Sequence, residues 1–207
     1  MNFSCSSNKR FYKLFHRFLD IVISLTGLLL FLVVLPFIFI LNVFMNKGPL
    51  FYNQIRVGKN GQNFTILKLR SMVVNAESSG AVYAQKNDAR ITKFGKFLRK
   101  TSIDEMPQFF NVLIGSMSVV GPRPHPIPLN LESQEQIHNY LLRHLVKPGI
   151  SGWAQVNGNR GEVKIMSEMQ DRVNFDIWYI ENWTLWLDIQ IIFQTIINLI
   201  KGDEKAF

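Results

Sequence analysis

The stretch IVISLTGLLLFLVVLPFIFIL, from Ile21 to Leu41, decides the fold class of this chain. It runs for 21 residues without a charged side chain. As a helix it spans about 30 Å, which is enough to cross the hydrocarbon core of a bilayer. The run is too long for the apolar region of a secretory signal, and no small-x-small cleavage site follows it. The sequence therefore predicts a membrane helix.

The charges on both sides of this run bear on whether it crosses the bilayer. Four cations precede it, Lys9, Arg10, Lys13 and Arg17, and a strongly basic remainder begins at Lys47. Basic flanks favour the cytoplasmic side of a membrane, and here both flanks are basic. A re-entrant hairpin satisfies both flanks, and Pro36 supplies its bend because proline lacks an N–H and clashes with the preceding turn. An ordinary span with a proline kink is the alternative that charge alone leaves open.

The composition of the 207-residue chain indicates a bilayer and an anionic partner. Hydrophobic residues make up 47% of it and the mean hydropathy is +0.08, yet the net charge is +8. This combination suits lipid headgroups or phosphorylated ligands. Nucleic acid would explain the charge but not the apolar surplus, so we expect no nucleic-acid partner. The single cysteine, Cys5, suits a reducing compartment, and the spacing of the four histidines does not fit a zinc site.

The rest of the chain has the pattern of an α+β domain. Lys47-Gly48-Pro49 marks a boundary between an N-terminal tail with the membrane helix, residues 1–48, and a second domain, residues 49–207. Two apolar, β-rich segments, Leu50 to Val57 and Gln62 to Leu69, flank a Gly-Lys-Asn-Gly turn, which predicts a β-hairpin. Beyond Ala76 the composition favours helices.

Two helical segments have one apolar and one polar face. Ile91 to Arg99 places phenylalanines and a leucine opposite lysines and an arginine, which suits either a membrane surface or a core helix with a solvated basic face. In Trp183 to Ile200 the polar side chains recur near one face. This pattern favours a helix in the membrane interface, with a buried core helix as the alternative. A full span is least favoured because Asp188 would be costly in hydrocarbon.

The segment Thr101-Ser102-Ile103-Asp104-Glu105-Met106-Pro107-Gln108 carries the candidate chemistry. Ser102 and Glu105 have the spacing of a capping box, which places Asp104 in the first turn of a helix. Backbone N–H groups and the helix dipole favour anions there, so this place can hold a carboxylate, a magnesium ion and a phosphate together. By itself the motif favours a simple helix cap, since acidic residues are common in first turns.

Two further segments favour an enzyme that binds an anionic ligand. Gly121-Pro-Arg-Pro-His-Pro126 holds Arg123 in a proline-stiffened turn, where a rigid guanidinium can grip phosphate oxygens in two places. The segment from Lys147 to Gly161 is rich in glycine, which lets the backbone approach a ligand, and Lys147 and Arg160 can neutralise a diphosphate. Each segment alone could be a structural turn, but the three together favour an enzyme.

Four motifs in this order resemble those of the bacterial sugar transferases, and the resemblance covers roughly Lys9 to the C-terminus. They are Lys68-Leu69-Arg70-Ser71-Met72, Asp104-Glu105-x-Pro-Gln, Gly-Pro-Arg-Pro, and Lys-Pro-Gly-Ile-x-Gly-Trp-Ala-Gln-Val-Asn-Gly. These enzymes are monotopic phosphoglycosyl transferases, which start glycan assembly on undecaprenyl phosphate. The combination of motifs is highly specific.

The resemblance implies a catalytic assignment for the charged residues. Asp104 matches the nucleophile that forms an aspartyl-phosphosugar intermediate, and Glu105 matches its partner. Both are expected to bind Mg²⁺. A UDP-sugar donor is implied, with UMP as the product, and we expect five cations to bind it: Lys68, Arg70, Arg123, Lys147 and Arg160. A carboxylate needs no base because it is ionised at neutral pH, so we expect Glu105 to orient magnesium first and to accept a proton second.

The resemblance also implies where the protein works. It favours the re-entrant helix, with Pro36 at the bend, although the chain has Leu35 where many small members have serine. It implies interfacial helices and a bacterial cytoplasmic membrane with the catalytic domain facing the cytoplasm. The chain resembles the glucose- and galactose-type transferases and looks like a catalytic unit alone. The expected role is the first membrane step of exopolysaccharide, capsule, O-antigen or glycoprotein glycan assembly, and a homodimer is left open.

Two alternatives to this mechanism remain at the level of sequence. In the first, donor and acceptor bind together and Asp104 only holds magnesium, so no covalent intermediate forms. In the second, the chain is a basic membrane scaffold that binds anionic lipid or nucleic acid. The scaffold explains the charge and the apolar run, but it gives no reason for the Asp-Glu, Pro-Arg-Pro and glycine-rich segments.

Overall fold

The computed structural model describes residues 6–76, 88–161 and 166–202, with side chains from residue 12 onward. The helices and strands, in chain order, are α1 Ser6–Met45, β1 Phe51–Val57, β2 Asn63–Leu69, α2 Lys93–Lys100, α3 Gln108–Ile114, β3 Ser118–Val120, α4 Ile127–Gln136, β4 Gly149–Ser151, α5 Trp153–Val156, α6 Met166–Glu181 and α7 Leu185–Lys201. Helices and two small two-stranded sheets form the mixed fold that the sequence predicts.

The N-terminal helix α1 contains the whole apolar run. It is 40 residues long, and its part from Tyr12 to Met45 is long and apolar enough to cross a membrane. Pro36 lies inside the helix and does not divide it into two elements. The bend expected at Pro36 therefore stays a prediction.

One face of α1 packs against the rest of the protein along its length. Its buried residues are separated by three, four or seven positions, which is the period of a helix face: Asp20, Ser24, Gly27, Phe31, Ile38 and Asn42. Near the start of the apolar run, Arg17 donates to the carbonyls of Val112 and Leu113, both at 2.7 Å. At the other end, Asn46 donates to the carbonyl of Arg70 at 2.9 Å. Both ends of the apolar run thus contact the same folded body.

The predicted β-hairpin is confirmed. Strands β1 and β2 pair antiparallel, with Phe51 opposite Leu69 and Val57 opposite Asn63. The turn between them includes Asn60 in a left-handed conformation, with φ of 56°, which asparagine tolerates better than most residues. Strand β2 continues directly into the Lys-Leu-Arg-Ser-Met motif, so the hairpin positions Lys68 for the site.

The second sheet joins two of the sequence motifs. Strands β3 and β4 are parallel, and the N–H of Gly121 donates to the carbonyl of Ser151 at 2.9 Å. A Cβ atom at Gly149 would lie 2.1 Å from the nitrogen of Gly121, so this approach requires glycine. The Pro-Arg-Pro turn and the glycine-rich segment are therefore fixed against each other by backbone contacts.

The two amphipathic helices each bury part of their apolar surface and expose the rest. In α2, Phe94 and Leu98 are buried while Phe97 is exposed, so this helix packs on the core, which was one of its two expected placements. In α7, Asp188 is 2% exposed and accepts hydrogen bonds from Tyr179 at 2.7 Å and Trp183 at 3.0 Å, and the apolar Leu187 and Ile191 are buried on the same side of the helix. Other apolar residues of α7 are exposed, and they include Trp186, Phe193 and Ile200.

Candidate active site

The Asp-Glu pair lies in a short 3₁₀ turn, Ile103–Glu105, and not at the start of an α-helix. The predicted capping box is wrong. Ser102 is in the left-handed region, with φ of 55°, and its side chain forms no cap hydrogen bond. The hydroxyl instead accepts from Arg160 at 2.7 Å. Glu105 cannot reach back to cap the turn because its carboxylate is held by cations from other elements.

Glu105 is bound by two of the predicted cations. Its carboxylate accepts from Lys68 on β2 at 3.0 Å, and Arg123 donates to both of its oxygens, one of them at 3.1 Å. Burial would raise the pKa of this carboxyl, but the charges of Arg123 and Lys68 outweigh burial and bring the pKa well below its ordinary value. Glu105 is therefore ionised and fixed in place.

Asp104 differs from Glu105 both in its hydrogen bonding and in the direction of its pKa shift. It is 7% exposed, and its carboxylate forms no hydrogen bond with any residue that the structure describes. Burial and the adjacent charge of Glu105 raise its pKa, against the influence of Lys68, Arg99 and Arg123. One carboxylate is thus anchored, and the other is surrounded by cations but available to a ligand.

Arg99 belongs to this site, although the sequence assigned it to the solvated face of α2. Its Nε donates to the hydroxyl of Ser71 at 2.8 Å, and its charge lowers the pKa of Asp104. The sequence feature that indicates this role is the position of Arg99 in the last turn of α2, just before the Asp-Glu turn. Arg160 also joins the site through Ser102, and its charge acts on Glu105.

The structure places two predicted ligand-binding residues elsewhere. Arg70 lies where β1 and β2 meet the end of α1, and it donates to the carbonyls of Pro49 at 2.6 Å and Met72 at 3.0 Å as well as to Asn46. Its guanidinium is used by the fold. The amine of Lys147 lies near Gly115 and the Arg17 guanidinium, at the C-terminal end of α3. Neither residue contacts the Asp-Glu pair among the described contacts.

A buried network that the sequence analysis missed supports the Pro-Arg-Pro turn. Arg143 donates to the carbonyl of Arg123 at 2.8 Å and to Asp176 on α6 at 2.6 Å. It also donates to the hydroxyl of Tyr140 at 3.1 Å, which contacts His125 at 2.7 Å. Burial, followed by the charge of Arg143, holds the pKa of His125 well below its ordinary value, so this histidine is neutral.

The residues of the site fit magnesium only in part. Within the described residues, no group of three His, Cys, Asp or Glu side chains could hold a metal. Mg²⁺ is commonly bound by one or two carboxylates together with substrate phosphates and water. The unpartnered carboxylate of Asp104 fits that arrangement. Both oxygens of Glu105 are occupied by Lys68 and Arg123, so Glu105 does not fit it as it stands.

This arrangement is that of a protein built to bind an anionic substrate beside a long apolar helix. Cations act on one buried and one half-buried carboxylate, and only the half-buried Glu105 forms hydrogen bonds with them. The chain belongs to the bacterial sugar transferase family, whose model matches residues 11–202. The resemblance inferred from the motifs is thereby confirmed.

Several curated relatives carry specific activities in their names. The chain is 47% identical to a UDP-glucose:undecaprenyl-phosphate glucose-1-phosphate transferase of Klebsiella pneumoniae, over 88% of this chain and 39% of the relative. It is 49% identical to an enzyme of the same name from Xanthomonas campestris, over 78% and 34%. A UDP-N-acetylgalactosamine-undecaprenyl-phosphate N-acetylgalactosaminephosphotransferase of Aeromonas hydrophila is 41% identical, over 92% and 45%. The chain spans about two fifths of the length of these relatives.

Proposed function

We propose that this protein transfers a sugar 1-phosphate from a UDP-sugar to undecaprenyl phosphate and releases UMP. The observation that carries the proposal is the contrast between the two neighbouring carboxylates: Glu105 is held by Lys68 and Arg123, while Asp104 is buried among cations without a hydrogen-bond partner in the described chain. The names of the relatives support the same reaction class.

The charge of the site suits a diphosphate. Four cations act on the Asp-Glu pair, Lys68, Arg99, Arg123 and Arg160. Attack by a carboxylate on a diphosphate brings several negative charges together, so the reaction needs preorganised cations around the phosphorus. Magnesium held by Asp104 and the substrate phosphates would supply further neutralisation. Both terminal nitrogens of Arg123 donate to Glu105, so binding of a phosphate by this fork requires one of these donors to shift from Glu105 to the substrate.

The proposed reaction has two displacements at one phosphorus atom. A carboxylate oxygen of Asp104 attacks the phosphorus that carries the sugar, and the bond to the bridging oxygen breaks, so UMP leaves with the electron pair. An oxygen of undecaprenyl phosphate then attacks the same phosphorus, and the Asp104 carboxylate leaves. The acceptor needs no general base because a phosphate monoester is mostly a dianion at neutral pH. Glu105 keeps Lys68 and Arg123 in position throughout.

We also propose that α1 is re-entrant and that the enzyme lies on the cytoplasmic face of the bacterial inner membrane. The support is that both ends of the apolar run contact the same body, through Arg17 and Asn46. The outward apolar face of α7 suits the membrane interface, where Trp186 would lie at headgroup level. Together these surfaces would hold Asp104 at the depth where a lipid phosphate arrives.

The topology predicts the outcome of cysteine labelling. In a Cys5→Ser background, we expect Asn8→Cys to react with an impermeant maleimide only after cells are permeabilised. Gln62→Cys, on the exposed hairpin turn, serves as the control for the cytoplasmic side. If Asn8→Cys were labelled in intact cells while Gln62→Cys was not, α1 would cross the membrane and the re-entrant assignment would be wrong.

Arg123→Lys tests whether a planar fork is needed in the Pro-Arg-Pro turn. Lysine keeps the charge but cannot donate to two oxygens at once. We expect kcat/KM for the UDP-sugar to fall about 10- to 100-fold, the range of one lost charge-assisted hydrogen bond. Unchanged thermal stability would show that the loss lies in substrate recognition. A lysine variant as active as the parent would contradict the role assigned to Arg123.

The reaction itself is tested by UMP release from purified protein with magnesium and undecaprenyl phosphate. We expect UDP-glucose or UDP-galactose to be the best donor among these two sugars and their N-acetyl forms. Release of UMP from at least one donor, with formation of a lipid-linked sugar phosphate, supports the proposal. A protein that binds anionic lipid but releases no UMP from any of the four donors would instead be a membrane scaffold.

A further inference from the structure

Arg172, on α6, is a buried cation that the fold leaves incompletely satisfied. It is 8% exposed, and its Nε has no hydrogen-bond partner in the described chain. A terminal nitrogen of Arg172 donates to the carbonyl of Gly161 at 3.2 Å. Burial lowers its pKa to about 10, and the charges of Arg123 and Arg143 act in the same direction. A buried group of this kind is costly unless a ligand satisfies it.

Arg143 shows what a structural arginine looks like in the same neighbourhood. It is equally buried, but it is paired with Asp176 at 2.6 Å and donates to a tyrosine hydroxyl and a backbone carbonyl. Asp176 and Glu168 also favour the charge of Arg172 electrostatically. Within the described residues, however, neither carboxylate forms an ion pair with it. Arg172 therefore has capacity for an anion that Arg143 does not have.

Two connections place Arg172 at the edge of the candidate active site. Its partner Gly161 follows Arg160, whose guanidinium is bonded to Ser102 beside the Asp-Glu turn. Arg123 acts electrostatically on both Asp104 and Arg172. The other charges that shift the pKa of Asp104 are those of Glu105, Lys68 and Arg99. The other charges that shift the pKa of Arg172 are those of Arg143 and of Asp176 and Glu168 on α6. Arg123 is thus near enough to act on both the nucleophile and Arg172.

The geometry of phosphoryl transfer bears on which phosphate such a cation would bind. The attacking and leaving oxygens lie roughly in line on opposite sides of the phosphorus. With Asp104 on one side of the phosphorus, the leaving group lies on the far side, and Arg172 is a cation of this neighbourhood that is not among the groups acting on Asp104. When the bond to the bridging oxygen breaks, the electron pair stays on the departing phosphate, which gains negative charge. A cation there stabilises the charge as it develops.

We propose that Arg172 binds the phosphate of the nucleoside monophosphate leaving group. This inference rests on the proposed function, since it assigns one phosphate of the same donor. A guanidinium whose Nε has no partner can donate two hydrogen bonds to two oxygens of one phosphate. Hydrogen bonds to a neutral sugar hydroxyl or base carbonyl would be weaker. Arg172 is then a substrate-binding residue that also favours departure of the nucleotide.

The test is a comparison of UMP with uridine, measured by calorimetry on the full-length protein in detergent, without UDP-sugar. We expect Arg172→Met to weaken UMP binding at least about tenfold and Arg172→Lys to weaken it less, because lysine keeps the charge but not the fork. Uridine binding should stay unchanged in both variants, since uridine lacks the phosphate. Lys59→Met, which removes one exposed cation from the hairpin turn, should bind UMP within about twofold of the parent.

The ratio of UMP to uridine affinity decides the outcome, and it is read at a temperature where each variant is folded by circular dichroism. A ratio that is unchanged in Arg172→Met and Arg172→Lys overturns the inference and makes Arg172 a support for the Gly161 carbonyl. If Arg172→Met does not fold, Arg172→Lys alone decides, and an unchanged ratio there has the same meaning. If the parent binds neither UMP nor UDP-sugars, the proposed function itself fails. If the parent binds UMP and only the Arg172 assignment fails, the proposed function stands.

Discussion

Asp104→Asn is expected to reduce UMP release by at least about a thousandfold, with the fold intact. Asparagine keeps the size of the side chain but lacks the anionic oxygen that attacks phosphorus. The fold should survive because Asp104 makes no hydrogen bond in the described chain, and its raised pKa means that its negative charge does not stabilise the folded state. We therefore expect the melting temperature at neutral pH to be equal to that of the parent or slightly higher.

Glu105→Gln is the matched comparison, because it removes the adjacent charge. The pKa of Glu105 is depressed in the folded state, so its ionised form stabilises the protein above the pKa of the unfolded chain, and this stabilisation is lost as the pH falls through the folded pKa. At neutral pH the melting temperature of Glu105→Gln should therefore fall, while that of Asp104→Asn should not. Substantial turnover by Asp104→Asn would show that Asp104 is not the nucleophile. A large loss of stability in that variant would make it a structural residue.

Arg143→Met is expected to cost about 3–5 kcal/mol of unfolding free energy, the largest effect on stability among these variants. It removes the partner of Asp176 and leaves a carboxylate buried without compensation. It also frees the carbonyl of Arg123, so kcat/KM should fall as the Pro-Arg-Pro turn loses its support. Urea denaturation of the parent and variant measures the first effect, and UMP release measures the second.

The double variant Arg143→Met, Asp176→Leu separates the ion pair from simple loss of packing. If the cost comes from the unpaired carboxylate, replacing Asp176 with an apolar residue should recover most of the stability, although not the activity. Costs that simply add in the double variant would mean that the two side chains do not stabilise the fold as a pair. The network would then be a set of independent contacts.

The sequence predicted those parts of the structure that depend on local patterns. The hairpin from Leu50 to Leu69 follows from two apolar, β-rich segments around a Gly-Lys-Asn-Gly turn, and it is present. Residues that the family motifs singled out also lie together in the structure. Lys68 and Arg123 both donate to Glu105, and Arg160 donates to Ser102 in the same segment. In both cases the signal lies in adjacent residues or in a motif whose spacing is specific.

The errors concern contacts between distant parts of the chain. The Ser102–Glu105 spacing is that of a capping box, but the carboxylate binds Lys68, 37 residues away, and Arg123 instead. Nothing in the sequence distinguishes Arg70, whose guanidinium holds backbone carbonyls, from Arg172, whose Nε is left without a partner in the described chain. Nor does the sequence show which donors meet the buried Asp188 of α7, which accepts hydrogen bonds from Tyr179 and Trp183. Only the folded chain brings these partners together.

The covalent intermediate on Asp104 is the central claim, and mass spectrometry tests it most directly. The parent protein is incubated with UDP-sugar and magnesium but without a lipid acceptor, and the peptide that contains Asp104 is analysed. We predict a hexose-phosphate adduct on that peptide, with one UMP released per adduct, and loss of the adduct when undecaprenyl phosphate is added. If UMP forms only when acceptor is present and no adduct can be trapped, donor and acceptor react together in a ternary complex, and the assignment of Asp104 as nucleophile is contradicted.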